Sequence, residues 1–223
     1  MIKKIFGILI IVLPWKLKRF FLVKIWKYEL HETAKIGLSY IFPKFLKMDA
    51  GSSIGHFNTA IHLDEIRIGK NSSIARGNWI TGFTSGTNSE HFAHNPGRKS
   101  ILCIGKESAI TKNHHIDCTS PITIGDFVTI AGYQSQLLTH SIDVYKNRQD
   151  SQPIDIGDYC FVGTGVKILG GSVLPNRSIL GAGAVLNKAF DAEWTLYAGL
   201  PAKPIKEISE NANYFRRKKG FVY

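Results

Sequence analysis

The histidine at position 140 is the residue of this chain whose type and setting best suit proton transfer. His140 stands between Thr139 and Ser141, in a polar stretch that follows two leucines. A neutral imidazole titrates near physiological pH, so this side chain can take a proton from an alcohol or an amine that attacks a carbonyl group. The alternative is an ordinary histidine at a turn. We take His140 as the candidate general base.

A six-residue repeat organises the chain around this histidine. Neither the period of an α-helix, 3.6 residues, nor that of an alternating strand, 2 residues, produces such a repeat. Three hexads can close one triangular coil, with an aliphatic anchor inside and glycines such as Gly157 relaxing φ at the corners. The repeat therefore predicts an all-β solenoid. Its clearest aliphatic anchors are Ile156, Val162, Ile168, Leu174, Leu180 and Leu186.

The repeat is interrupted twice, near residues 83–100 and near residues 141–152. A solenoid interrupts its repeat mainly to build something outside the coil. The first interruption is either a polar surface loop or a loop that reaches a neighbouring subunit. The second begins directly after His140, so we expect it to carry the candidate base.

Four stretches of the chain carry motifs of a known family. Residues 139–143 are similar to the Thr-His-Pro-Ile-Asp-like motif that bears the catalytic histidine of sugar acetyltransferases, with Ser141 in place of the proline. Residues 156–163, 180–188 and 199–206 carry the others. Residues 36–206 thus resemble the hexapeptide-repeat acyltransferases, in particular the maltose, galactoside and nodulation-factor acetyltransferases and the surface-polysaccharide O-acetyltransferases. The resemblance implies a left-handed parallel β-helix, a homotrimer with sites between subunits, and acetyl-CoA as co-substrate.

The resemblance also implies which residues hold coenzyme A. Thr164 matches a position whose backbone amide meets the thioester end, and we assign it to oxyanion stabilisation. Ala182 matches a backbone contact to pantetheine, and Asn187 with Lys188 matches a Thr-Lys pair. Lys203 and Lys206 are expected to bind the nucleotide phosphates, since related enzymes often carry arginines at these positions. Lysine supplies charge without a bidentate fork, and a solvated basic face is the alternative interpretation.

A polar segment one coil before His140 is the candidate wall of the acceptor site. Counted from Ile110, His114 takes an inward position and His115 an outward one. Related enzymes use an asparagine and an aspartate in this region. The residues predicted to hold the hydroxyl groups of a sugar are Asn113, His115, Asp117 and Asp143.

Cysteine and histidine spacing predicts neither a disulfide framework nor a metal site. Cys103, Cys118 and Cys160 form an odd set without CxxC spacing, which favours buried thiols. The γ-class carbonic anhydrases share the expected fold and bind zinc with three histidines, the last two close together. No histidine follows His140 in this sequence, so we predict no metal.

The positive charge of the chain lies at its two ends. Residues 1–30 carry seven Lys and Arg against one Glu, residues 203–223 carry six against two, and the part between them is nearly neutral. A nucleic-acid groove needs a basic stripe on the folded body, so we predict no nucleic-acid partner. Basic residues mixed with Trp, Phe and Leu in residues 1–30 are typical of an interfacial helix on anionic lipid, with packing on a neighbouring subunit as the alternative.

The sequence therefore predicts three parts. Residues 1–30 form an amphipathic basic helical segment, residues 31–208 the β-helix acyltransferase domain, and residues 209–223 a short helical cap with a basic tail. The N-terminal segment predicts a cytoplasmic protein on the inner face of the membrane. The expected function is O-acetylation of a sugar in a surface polysaccharide or lipid-linked glycan. The alternatives are N-acetylation of an amino sugar and a non-catalytic, membrane-docked β-helix scaffold.

Overall fold

A computed structural model describes residues 2–222, and the chain winds through three sheets of parallel strands. The first sheet contains β1 (Glu29–Leu30), β4 (Phe45–Met48), β7 (Glu65–Ile68), β10 (Ile101–Ile104), β13 (Ile122–Ile124), β18 (Ile154–Ile156) and β21 (Val173–Leu174). The second contains β2 (Lys35–Ile36), β5 (Ser53–Ile54), β8 (Ser73–Arg76), β11 (Ala109–Lys112), β14 (Thr129–Ile130), β19 (Phe161–Val162), β22 (Ile179–Leu180), β24 (Thr195–Ala198) and β25 (Lys203–Glu207). The third contains β3 (Tyr40–Phe42), β6 (Thr59–Ile61), β9 (Trp79–Thr81), β12 (His115–Asp117), β15 (Gln136–Leu138), β20 (Lys167–Leu169) and β23 (Val185–Leu186).

Successive strands visit the three sheets in turn, so the molecule is the parallel β-helix that the repeat predicts. Each strand pairs in parallel with the strand one coil away, as Ile110 of β11 does with Ile130 of β14. The last pair differs, because β24 and β25 run antiparallel and close the C-terminal end. All six anchors from Ile156 to Leu186 are buried. The backbone groups along the axis are thereby paired, and the aliphatic column fills the interior.

The glycines after the anchors serve close packing rather than an unusual φ, which corrects the sequence expectation. Gly157 is not in the left-handed region, but a Cβ there would lie 2.6 Å from the backbone nitrogen of Asn176 in the next coil. The left-handed corner positions are taken two residues later by Tyr159 (φ 57°) and, in the next coil, by Arg177 (φ 54°). Only a residue without Cβ permits the corners to stack this closely.

Two short helices cover the open end of the first coil. They are α1 (Ile2–Ile10) and α2 (Trp15–Ile25), so the expected helical segment is divided near Pro14. Lys18 of α2 is buried, and its Nζ donates to the carbonyl oxygen of Gly37 at 2.7 Å. Burial lowers the pKa of Lys18 to about 8. The helices thus protect a strand edge that would otherwise be free to pair with other chains.

The C-terminal segment returns along the outside of the coil. Its helix is a single 3-10 turn, Asn213–Arg216. Beyond it the guanidinium of Arg217 lies 3.8 Å from the ring centroid of Tyr214, and the backbone nitrogen of Gly220 donates to Glu107 at 2.7 Å. Within residues 2–222, none of the helices combines the length and the apolar character that crossing a membrane requires.

Candidate active site

Two long connections leave the coil at one corner, where the third sheet leads into the first. Residues 82–100 connect β9 to β10, and residues 139–153 connect β15 to β18. The second contains an antiparallel hairpin of β16 (His140–Asp143) and β17 (Arg148–Ser151). The connections are two coils apart, and because neighbouring strands lie about 4.8 Å apart, their bases are separated by about 10 Å. The fold therefore brings both interruptions of the repeat together.

Asp64 fixes both ends of the first connection. Its carboxylate accepts hydrogen bonds from the backbone nitrogens of Ser85 at 3.1 Å and Ser100 at 2.9 Å, and it pairs with Lys44 at 2.9 Å. Partial burial pushes the pKa of Asp64 upward, but the hydrogen bonds from Ser100, Lys44 and Ser85 outweigh it and hold the pKa below its usual value. The loop therefore begins and ends at fixed points.

The backbone that carries His140 is held rigidly. The preceding residue, Thr139, is buried, and its hydroxyl donates to the carbonyl oxygen of Asp117 at 2.8 Å. The same hydroxyl oxygen accepts from the backbone nitrogen of Ser120 at 2.9 Å. His140 itself is exposed and opens the hairpin opposite Ser151. A fixed backbone with an exposed imidazole suits a group that must meet a substrate.

One residue from each connection touches the imidazole of His140. The ring of Phe92 lies with its centroid 5.6 Å away and its plane inclined by 62°. On the hairpin, Oε1 of Gln149 is in contact with Nε2 of His140. Beside these contacts lies a cavity of about 290 Å³, whose wall includes Phe92, Gln149, Arg148 and His91. A cavity with several polar side chains next to an imidazole can receive a polar substrate.

The four predicted acceptor residues do not gather around His140 within one chain. Asp117 pairs with Leu138, two residues before His140, but its Oδ1 accepts from the backbone and the hydroxyl of Thr119. His115 lies two residues earlier on β12 and is half-buried. Asp143 pairs with Lys146 in the hairpin turn at 3.2 Å, and hydrogen bonds from Lys146 lower its pKa.

Asn113 and two predicted coenzyme A residues occupy a different corner, between the second and third sheets. Asn113 lies there in the left-handed region, φ 55°. Thr164 is two coils further on, and its carbonyl oxygen accepts from the backbone nitrogen of Gly183, the neighbour of Ala182. Asn113, Thr164 and Ala182 therefore share one column along the coil, at the opposite end of the third sheet from His140.

The predicted basic residues lie further toward the C-terminal end. Asn187 and Lys188 follow β23, at the corner that also carries His140, and Nζ of Lys188 is 5.0 Å from the ring centroid of Phe190. Lys203 and Lys206 lie exposed on β25. Within one chain, the predicted catalytic and cofactor residues are thus divided between corners.

The cysteines are poor nucleophile candidates. Cys118 and Cys160 are fully buried in the coil. Burial raises the pKa of Cys118, and it raises the pKa of Cys160 to about 12. Thiols of this kind stay protonated. Over the part of the chain that the structure describes, no three His, Cys, Asp or Glu side chains are grouped for metal binding.

The sequence analysis missed Phe92, Arg98 and Gln149. Phe92 and Arg98 belong to a loop rich in Gly, Asn and Ser, in which a phenylalanine and an arginine have no periodic pattern to mark them. Both are buried against the hairpin side of the coil. Gln149 becomes significant only once the hairpin pairing is known, since this pairing brings it back beside His140. The apolar residues of an otherwise polar loop were the available signal.

Comparison with known proteins agrees with the fold. No protein-family model matches the chain. A protein of Schizosaccharomyces pombe, provisionally named an acetyltransferase, is 39% identical over 92 residues, which are 39% of this chain and 44% of that protein. The galactoside O-acetyltransferase of Escherichia coli is 32% identical over 120 residues, 52% of this chain and 59% of that enzyme. The matches therefore span about half the length of these curated relatives.

Solved structures share the fold over most of the chain. An acetyltransferase of Bacillus cereus, also provisionally named, superposes with a TM-score of 0.56 at 21% identity, over 83% of this chain and 91% of that one. An N-acyltransferase from the same organism, solved with dTDP and coenzyme A, gives a TM-score of 0.55 at 15% identity, over 82% and 87% of the two chains. The fold is thus the left-handed parallel β-helix expected from the resemblance. Over part of its sequence the chain is similar to acetyltransferases, and it shares the fold of solved acyltransferases.

Proposed function

We propose that the protein transfers an acetyl group from acetyl-CoA to a hydroxyl group of a sugar, in a surface polysaccharide or a lipid-linked glycan. The observation that carries this proposal is the exposed imidazole of His140 on a fixed corner, beside a cavity with polar walls. An imidazole in that position can accept the proton of a hydroxyl group without moving the backbone.

Transfer proceeds directly between the two bound substrates. Nδ1 or Nε2 of His140 takes the hydroxyl proton while the oxygen attacks the thioester carbonyl. The backbone N–H of Thr164 stabilises the oxyanion, which typically contributes about 3–4 kcal/mol. The C–S bond then breaks, and His140 returns the proton to the sulfur of coenzyme A. Ala182, Asn187 and Lys188 hold the pantetheine arm, and Lys203 with Lys206 binds the nucleotide phosphates.

We place each site between two chains of a homotrimer. Support comes from the separation of Thr164 and Ala182 from His140, since they occupy opposite ends of the third sheet. Residues on two corners of one prism converge only when a second prism lies alongside. Asn113, His115 and Asp117 then face the acceptor with Asp143 of the hairpin.

A coenzyme A release assay tests the activity. With acetyl-CoA and a panel of nucleotide sugars and lipid-linked saccharides, we expect acceptor-dependent release of free thiol. Acetyl-CoA at a hundred times its Kd should also stabilise the protein by about 2.7 kcal/mol in thermal unfolding. No stabilisation by millimolar acetyl-CoA would favour the non-catalytic scaffold. Release with amino sugars alone would favour N-acetylation.

The two N-terminal helices are the proposed contact with the cytoplasmic face of the membrane. Apolar side chains project into solvent from the helices and from the turn between them: Leu9 is 60% exposed, Val12 74% and Phe20 53%. Lys16 and Lys24 are exposed on the same helical pair. Apolar side chains among cations match the boundary between acyl chains and anionic headgroups. A membrane-held enzyme would meet a lipid-linked acceptor directly.

Paired substitution of Leu17 and Phe20 by glutamate tests this contact. Wild-type protein should sediment with phosphatidylglycerol vesicles and much less with phosphatidylcholine vesicles, and Leu17→Glu/Phe20→Glu should lower binding at least tenfold. Both side chains are about half exposed, so the fold should tolerate the change, whereas deleting α2 would also remove the buried Leu22 from the core. Phe57→Glu is the matched control, because Phe57 is 74% exposed on the coil. Equal binding of all three proteins would contradict the proposal.

A further inference from the structure

We propose that Phe92 and Gln149 are positioning residues that clamp the imidazole of His140 from two sides and fix which of its nitrogens acts as base. The inference rests on the proposed function, because it concerns His140 as the general base. Phe92 comes from the first connection and Gln149 from the hairpin, so the clamp forms within one chain.

Phe92 is held in an unusual way for a loop residue. Its side chain is only 6% exposed, and its backbone lies in the left-handed region with φ 62°. A bulky residue rarely adopts this conformation, and it persists only where the surrounding structure enforces it. In this conformation the ring of Phe92 packs against His140.

Arg98 packs against the ring of Phe92 and holds it in place. Its guanidinium lies 4.4 Å from the ring centroid of Phe92 and 5.4 Å from that of Phe83. It donates to the carbonyl oxygens of Phe83 and Thr119. Arg98 is 7% exposed, and within the described residues no carboxylate lies within 4 Å of its charge.

A cation buried in this manner is costly, and burial lowers its pKa. The charges of Asp64 and Asp117 oppose this effect of burial. Arg98 links the loop to Thr119, whose neighbour Ser120 donates from its backbone nitrogen to the hydroxyl of Thr139. Backbone and ring of His140 are thus fixed by one connected set of contacts.

Gln149 determines the protonation of the imidazole. An amide oxygen only accepts hydrogen bonds, so its contact with Nε2 favours the tautomer that carries the proton there. The lone pair then lies on Nδ1, ready to accept the proton of a hydroxyl group. Holding one tautomer removes the need to rearrange protons before each turnover.

Replacing Phe92 by leucine tests the clamp. We expect kcat to fall about tenfold with KM for acetyl-CoA within twofold, while Phe92→Tyr, which keeps the ring, should retain most of the activity. Phe57→Leu is the matched control, since Phe57 also has φ 60° and also lies beside a histidine, His56, but far from the hairpin along the chain. A folded Phe92→Leu variant with wild-type kcat would overturn the proposal.

Nitrogen-15 NMR of the imidazole gives a readout that does not depend on activity. Wild-type protein should show one dominant tautomer at His140, protonated on Nε2, and Gln149→Leu should produce a mixture. Gln149→Glu places a carboxylate at the ring, so the acidic limb of the kcat/KM profile should move to higher pH. A mixed tautomer in the wild type, or no change in either variant, would refute the clamp. Absence of acetyl transfer with the expected NMR result would refute only the proposed function.

Discussion

Replacing His140 by alanine is expected to lower kcat at least 100-fold while leaving the Kd for acetyl-CoA within about twofold. The variant loses the group that accepts the hydroxyl proton, and a 100-fold loss corresponds to about 2.7 kcal/mol of the barrier. The coenzyme A residues proposed above lie outside the hairpin that carries His140, so their contacts should survive. Steady-state release of coenzyme A gives kcat, and isothermal titration of acetyl-CoA gives the Kd.

His31→Ala is the matched control for this variant. His31 is an exposed histidine at the start of the coil, and its ring is hydrogen-bonded to Thr33, two residues away. The His31→Ala variant should retain wild-type kcat. If His140→Ala keeps more than a third of the activity, His140 is not the base. The thiols of Cys118 and Cys160 are buried, so neither can replace it, and the protein would use a different catalytic group.

The fold was predictable because each coil repeats one physical requirement. An aliphatic side chain must fill the narrow interior at every side of the prism, so residues such as Val162 and Ile168 recur at a fixed spacing. The same regularity located both interruptions, near 83–100 and 141–152, since a break in a strict pattern is as visible as the pattern. The exposed histidine at one of these breaks followed directly.

The surroundings of His140 could not be predicted in the same way. Phe92 reaches the imidazole across two coils through a loop without periodicity, and Gln149 reaches it through a hairpin whose pairing the sequence does not mark. The sequence indicated that glycines such as Gly157 occupy the corners because of their conformational freedom, whereas in the structure they allow close packing between coils. Their role depends on the distance between consecutive coils, which a single hexad does not reveal. Local periodicity therefore predicts the scaffold, whereas non-local contacts decide the site.

Gly125→Ala is expected to destabilise the whole coil, by about 3 kcal/mol or more. Gly125 is stacked between Gly105 and Gly157 at the corner after the first sheet, and a Cβ there would lie 2.8 Å from the carbonyl carbon of Gly157 and from the backbone nitrogen of Asp158. These atoms belong to backbone that is hydrogen-bonded from coil to coil, as from Gly125 N to Ile156 O at 2.8 Å. They cannot move aside as a flexible side chain would, so the contact becomes overpacking.

The destabilisation caused by Gly125→Ala should extend to neighbouring coils, because a solenoid is stabilised by the contacts between them. A disturbance between β13 and β18 weakens the coupling of the two halves, and the melting temperature should fall by about 10 °C in a calorimetric scan. Gly97→Ala is the matched control, since no atom lies within 4 Å of its Cβ position. If the two variants have the same melting temperature, neighbouring corners can move apart without destabilising the protein, and the prediction is wrong. The hairpin that carries His140 leads directly into β18, so a loosening of this strand should also lower kcat in the folded fraction.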